Sequence, residues 1–107
     1  MHILQALNIR ELRAAILQIV YDNHCRQQSR LRLTPLHGAL EMLFFDISVD
    51  DLVTVLQDLS ERSYLSFKRD EGKWKKSREQ VIGEIQILPA GRDLVERTVT
   101  NPAVSFD

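Results

Sequence analysis

Basic residues surround the single tryptophan of the chain and predict contact with a polyanion. Six of them lie within eleven positions: Lys68, Arg69, Lys73, Lys75, Lys76 and Arg78, with Trp74 among them. Only two acids, Asp70 and Glu71, interrupt this stretch. Lysine and arginine bind phosphate groups without sequence preference, and an indole ring can stack on a base or a sugar. A solvated edge that discourages aggregation and a tryptophan folded over the core are the alternative interpretations.

A second basic group coincides with a short apolar alternation. Arg30 and Arg32 alternate with Leu31 and Leu33, so the pattern predicts a short strand with both arginines on its outer face. The arginines either add phosphate contacts or only form the solvated side of this strand.

The segment from Ser48 to Leu65 predicts a helix whose exposed face is acidic. Ser48 stands at the cap, and Asp51 follows at the capping-box position. The residues on the solvent side are Asp50, Asp51, Thr54, Gln57, Asp58 and Glu61. Carboxylates repel phosphates, so only Thr54 and Gln57 are suited to contact bases. The first two acids have a structural explanation as well, since they stabilise a helix N-terminus by about 0.3–1 kcal/mol each.

The apolar spacing predicts an α+β domain in the order helix, short strand, helix, helix, strand, strand, helix. We expect Asn8 to cap the first helix, which should end near His24 or Cys25. We expect Thr34 to cap the second helix, with Pro35 at its first position. The residues expected to face the core are Ile9, Leu12, Ile16, Ile19, Val20, Leu36, Ala39, Leu40, Leu43, Val49, Leu52, Val53, Leu56, Leu59, Leu65 and Phe67. The stretches SYLSFKR and IGEIQIL predict a hairpin, and PAGRDLVERTV predicts a short final helix.

Three helices followed by a hairpin resemble the winged-helix fold. The stretch SVDDLVTVLQDLSERSYLSF is similar to the third helix and first wing strand of that superfamily, and IQILPAGRDLVE is similar to the close of its wing. The motifs RAAIL in the first helix, SVDD at the third and GRD after the wing most resemble small winged-helix proteins of Mu-like phages and prophages. This resemblance implies a short first strand, a two-stranded wing and DNA binding. The chain departs from the pattern at Leu88, where threonine is usual, and in a longer stretch between the wing strands.

Composition sets further bounds. The 107 residues suit a single domain, 1–107, in which disorder and a dimer contact both remain open for the tail from about 98 to 107. The net charge of −1 gives no global attraction to nucleic acid or membrane.

One cysteine, Cys25, favours a reducing cytoplasm, and the first residues lack the pattern of a signal peptide. No apolar run approaches the roughly 20 residues of a membrane span. No catalytic motif is present, and His24 beside Cys25 is too few ligands for zinc, so we expect neither an enzyme nor a metal or other cofactor.

Together these features predict a non-enzymatic winged-helix protein that binds double-stranded DNA, such as a transcription regulator of a phage or prophage. The wing bases, with Arg30 and Arg32, would hold phosphates, while Thr54, Gln57 and Trp74 would contact bases. The alternative is a winged-helix interaction module that uses the acidic third helix to bind a second copy or another protein.

Overall fold

A computed structural model describes residues 6–26, 31–70 and 81–106. Within these ranges the chain is α+β, with four helices and one two-stranded antiparallel sheet. The elements are α1 (Ala6–Cys25), α2 (Leu33–Met42), α3 (Val49–Glu61), β1 (Leu65–Asp70), β2 (Val81–Ile87) and α4 (Pro89–Val95). The predicted order of helices and hairpin is therefore confirmed, except for the short first strand.

One apolar core joins all of these elements. Helix α1 contributes a stripe at helical spacing, and it packs against α2, β2 and α4. The fully buried side chains are Leu12, Ile16, Leu17, Val20, Leu36, Leu40, Leu52, Leu56, Leu59, Leu65, Ile82 and Ile85. Most of the residues predicted to face inward do so, but Leu43 and Val49 are exposed. Leu43 directly follows the last residue of α2, and Val49 is the first residue of α3.

The predicted starts of the first two helices are wrong. The described part of α1 already begins at Ala6, so Asn8 lies inside the helix and cannot cap it. The cap of α2 is Arg32, which places Thr34 and Pro35 within the first turn. Leu33 is buried as the first helical residue, and burying it there favours the earlier start. Proline is tolerated in this turn because its missing N–H has no partner within the helix.

In place of the predicted first strand, the structure has a single β-bridge between Leu31 and Ile85. The Ile85 N–H donates to the carbonyl oxygen of Leu31 at 3.1 Å, and no other part of residues 31–33 is extended against the sheet. The early start of α2 removes Leu33 from any strand. Leu31 nevertheless ties the chain before α2 to β2.

Helix α3 has the predicted cap. The Asp51 N–H donates to the Ser48 hydroxyl oxygen at 3.1 Å. Leu52, Leu56 and Leu59 are buried as expected, and Val55 is buried as well. The cap of α3, its buried leucines and its exit into β1 are therefore all as predicted.

The hairpin contains a bulge that the alternating pattern does not reveal. Leu65 pairs with Ile87, but Lys68 pairs with Gly83, so β2 carries one extra residue between these pairs. Glu84 takes up this extra residue with a φ of 51°. Because the bulge shifts the phase of the strand, Ile82 and Ile85 both face the core although they are three positions apart.

Helix α3 ends in a left-handed residue that is not glycine. Ser63 has a φ of 64°, and its N–H donates to the carbonyl of Ser60 at 2.9 Å. The next N–H, of Tyr64, donates to the carbonyl of Leu59 at 3.1 Å. This is the Schellman arrangement, in which glycine is preferred since it has no Cβ to clash.

Replacing Ser63 with glycine should therefore stabilise the protein. We expect Ser63→Gly to raise the free energy of unfolding by about 1 kcal/mol, because the left-handed conformation costs a non-glycine residue roughly that much. The matched control is Ser60→Gly, inside α3, which should lower the free energy by about 0.5 kcal/mol through helix propensity. Urea unfolding followed by circular dichroism measures both. Changes of the same sign in the two variants would contradict the assigned conformation of Ser63.

The tail packs against α1. Val104 is buried, and the Ser105 N–H donates to the carbonyl of Arg10 at 3.1 Å. The Arg13 Nη1 donates to the carbonyl of Ala103 at 3.0 Å. The end of the tail therefore lies against α1.

Tyr21 joins α1 to the end of α4. Its hydroxyl donates to a carboxylate oxygen of Glu96 at 2.7 Å. This hydrogen bond raises the pKa of Tyr21 above its ordinary value, because ionisation of the phenol would remove the donated proton. The contact links α1 to the residue that caps the C-terminus of α4.

Candidate nucleic-acid interface

Two of the predicted phosphate-binding residues lie on one face of the hairpin. Lys68 is directly opposite Gly83 in the register, so its side chain projects on the face where Gly83 has no side chain. A Cβ atom added at Gly83 would lie 4.0 Å from Cγ of Arg32. The stem of Arg32 therefore crosses the space beside Gly83, on the same face as Lys68. These two residues are 36 positions apart in the sequence, and the bridge between Leu31 and Ile85 brings them together.

An acid shares this face. Glu84 places a carboxylate oxygen 2.9 Å from Nζ of Lys68. The lysine is largely exposed, so the pair contributes little to stability, on the order of 0–1 kcal/mol. Its electrostatic effect is larger, because it offsets one of the cations that would attract phosphate. Glu84 lies outside the basic stretch, which ends at residue 78, so the net charge of that stretch does not include this acid.

The other predicted phosphate-binding residues divide into two groups. Arg69 is exposed on β1, opposite Ile82. The remaining members, Arg30, Lys73, Lys75, Lys76 and Arg78, lie outside the described residues, and so does Trp74. Arg69 follows Lys68 directly and therefore projects from the opposite face of the hairpin, the face of Ile82. The described part of the common face is thus formed by Arg32 and Lys68.

The two predicted base-contacting residues of α3 differ in the hydrogen-bonding groups that they leave free for DNA. Both Thr54 and Gln57 are exposed. The Thr54 hydroxyl donates to the carbonyl of Asp50 at 3.1 Å, so its proton is engaged and only its lone pairs face outward. Gln57 retains both a donor and an acceptor in its amide. Gln57 is therefore the better suited of the two to contact a base edge.

The acidic face of α3 is partly neutralised by arginines. A carboxylate oxygen of Asp58 lies 3.1 Å from Nε of Arg13 and 3.2 Å from Nε of Arg62. The ion pair of Asp58 with Arg62 can be predicted from the sequence, because the two residues are four positions apart in a helix. The ion pair of Asp58 with Arg13 cannot be predicted in this way, because it joins α3 to α1. Asp58 consequently acts as an internal anchor, which leaves Asp50, Asp51 and Glu61 as the acids of this face.

An apolar tip projects at the turn between α2 and α3. It consists of Met42, Leu43 and Phe44, all exposed, and Phe44 is 95% exposed with a φ of 68°. The turn itself is held by the N–H of Phe45, which donates to the carbonyl of Leu40 at 3.0 Å. His37 braces it further, with Nε2 donating to the carbonyl of Ile47 at 2.7 Å. The sequence predicted an inward Leu43 and did not single out this tip.

His24 and Cys25 are both exposed at the end of α1. Among residues 6–26, 31–70 and 81–106, no three His, Cys, Asp or Glu side chains are grouped as metal ligands would be. In the same ranges, none of the helices has the length and apolar character needed to cross a membrane.

Comparisons with family models, with curated proteins and with solved structures find no match to this chain. Its function is therefore inferred from the geometry and charge of the chain itself.

Proposed function

We propose that the chain is a winged-helix domain that binds double-stranded DNA mainly through its hairpin and catalyses no reaction. The observation that carries the proposal is the common face of Arg32 and Lys68 on the hairpin, with Arg69 exposed on the same strand as Lys68. The order of three helices, hairpin and short helix supports it, because winged-helix proteins have this order. The role implied by the resemblance is that of a transcription regulator in a phage or prophage.

In this proposal, phosphate contacts provide most of the affinity. Each lysine or arginine that pairs with a phosphate releases counterions, and this release makes binding strongly salt-dependent. The basic residues from Lys73 to Arg78 would add to the same electrostatic attraction through their charge alone. Such contacts carry no base sequence information.

Helix α3 would add limited specificity. Asp50, Asp51 and Glu61 form no ion pair with any described cation, and their charges oppose phosphates. Gln57 is the residue best suited to contact a base. We therefore propose weak sequence discrimination, with the helix positioned by the fold rather than by its own attraction to DNA.

The test is fluorescence anisotropy with a short duplex between about 50 and 200 mM salt, where phosphate contacts have their largest effect. We expect the double variant Arg32→Gln with Lys68→Gln to bind more weakly. The slope of log affinity against log salt should decrease by about 0.9 for each phosphate that the variant no longer neutralises. Glu84→Gln should instead raise the affinity, because it removes the carboxylate 2.9 Å from Lys68.

The matched control is Arg92→Gln with Arg97→Gln, which removes one positive charge in α4 and one just after it. It should leave the salt slope unchanged if the hairpin is the interface. Wild-type protein that shows no affinity at low salt would overturn the proposal. Equal weakening by the two double variants would show that only net charge matters.

A second candidate function is protein binding, and the apolar tip is the observation that favours it. Monomeric proteins seldom expose contiguous large apolar side chains without a partner. The exposed acids Glu41, Asp46 and Asp50 lie beside the tip in the sequence and would exclude DNA from it. Sedimentation velocity on the same preparations separates the candidates: self-association without DNA affinity supports this one, whereas a monomer that binds DNA supports the first.

A further inference from the structure

A pocket lies between α1, α4 and the tail, away from the hairpin. Its volume is about 250 Å³, close to the lower end of about 300 Å³ for small-molecule sites. Leu94, Val104 and Phe106 give it an apolar wall. Arg10 and Arg97 are the charged residues of its lining, and no acid of the described chain lines it.

The two arginines have no counter-charge. Neither Arg10 nor Arg97 forms an ion pair within the described residues. The Nε atom of Arg10 is buried, and no acceptor among those residues satisfies it. Burial of an unsatisfied donor on a cation is unfavourable, and the charge of an anion in the pocket would offset this cost.

Two hydroxyl groups add donors at the same place. Thr100 and Ser105 line the pocket, and their side chains make no hydrogen bond with any other described residue. Asn101 is different, because its amide donates to the Tyr64 hydroxyl and accepts from the Ala103 N–H at 2.8 Å. Asn101 therefore shapes the wall, while Thr100 and Ser105 remain able to bind a ligand.

Two hydrogen bonds hold the tail side of the pocket against α1. Ser105 is tied to α1 through the carbonyl of Arg10, and Arg13 holds the neighbouring carbonyl of Ala103. The pocket thus has its cationic side on α1 and at the end of α4, and its hydroxyls on a tail that is fixed to α1.

We propose that this pocket binds a small organic oxyanion, a carboxylate or a phosphate monoester on a compact apolar body. Guanidinium groups bind both head groups through paired hydrogen bonds, and the hydroxyls complete the set of donors. The apolar wall accepts the body of the ligand. This binding requires no DNA, so the proposal does not depend on the function proposed for the hairpin.

The test uses isothermal titration calorimetry with benzoate, phenyl phosphate and neutral benzamide. We expect benzoate or phenyl phosphate to bind and benzamide not to bind, since benzamide has the same ring without the charge. Whichever of the two anions binds identifies the head group. Arg10→Gln and Arg97→Gln should each weaken the anion about tenfold or more, as expected when a charged hydrogen bond is removed. The control Arg26→Gln removes the same charge from the far end of α1 and should leave affinity unchanged.

Other outcomes overturn the proposal. Equal affinity for benzamide and benzoate would show an apolar cavity without anion recognition. Equal weakening by Arg26→Gln would show a general charge effect, and a lack of any binding would show that the pocket is not a site. Arg97 is exposed, so Arg97→Gln keeps the test decisive even if Arg10→Gln fails to fold. The Arg32 and Lys68 double variant should lose DNA affinity while it keeps the anion.

Discussion

Gly91→Ala is expected to destabilise the protein by about 3 kcal/mol, the upper end of the usual range for overpacking a core. A Cβ atom at this position would lie 2.1 Å from the carbonyl oxygen of Tyr64 and 3.1 Å from a side-chain carbon of Ile87. The carbonyl is backbone, and it also accepts from the Leu88 N–H at 3.0 Å, so it cannot move without disturbing the hairpin. The melting temperature should fall on the order of 15 °C, which differential scanning calorimetry measures.

Gly38→Ala is the control for this prediction. Gly38 lies inside α2, and an added Cβ would meet nothing within 4 Å. The same chemical change should therefore raise stability by about 0.5–1 kcal/mol, because alanine is the better helix residue. If Gly91→Ala costs less than Gly38→Ala gains, α4 does not approach Tyr64 as closely as described.

Arg13→Met is expected to cost about 2 kcal/mol of stability and to release the tail, because hydrogen bonds that involve a charged group contribute about 1.5–3 kcal/mol. The Arg13 side chain is only 18% exposed, and it holds two distant parts of the chain at once. It donates to the carbonyl of Ala103 and lies 3.1 Å from the carboxylate of Asp58. Methionine retains the packing of the stem. Hydrogen exchange at the amide of Ser105 should accelerate as the tail leaves α1.

Arg62→Met provides the comparison, because it removes only the exposed pair with Asp58. That pair is solvent-screened, and its removal should cost about 0.3–0.5 kcal/mol without changing exchange in the tail. A cost for Arg13→Met as small as this, with Ser105 still protected, would show that apolar contacts of Val104 hold the tail without the arginine.

The elements that the sequence predicted well were those with several independent signals. Helix α3 had a serine cap, a leucine repeat and an exit into a strand, and the structure confirmed its cap and its buried leucines. The hairpin followed from the alternation of Leu65 and Phe67 in one strand and from the isoleucines of the other, and Pro89, predicted to end the second strand, lies at the first position of α4. These signals are local, and local propensity decides most of the conformation at such places.

Helix starts and inward-facing residues were predicted less well at junctions. Arg32 caps α2 in place of Thr34, because the helix begins at the buried Leu33. Leu43 is exposed because α2 ends in a left-handed Phe44. In both cases tertiary packing overrides a short sequence signal that was otherwise reasonable.

The candidate interface was predictable in composition but not in geometry. The basic residues near the wing were evident from the sequence, as was the acidity of α3. The structure added the common face of Arg32 and Lys68, the opposing Glu84, and the neutralisation of Asp58 by Arg13. None of these pairings follows from spacing along the chain, unlike the pair between Asp58 and Arg62.

The sequence by itself determined the α+β class, the order of the helices and the hairpin, and the charged residues that each element carries, because these depend on residue type and local periodicity. Only the tertiary structure decided which charges meet. The bulge at Glu84 sets the phase of β2, the bridge at Leu31 brings Arg32 to the hairpin, and the packing of the tail forms the pocket at Arg10. The physical reason is that such contacts join residues far apart in the chain, and their positions depend on how the whole core packs.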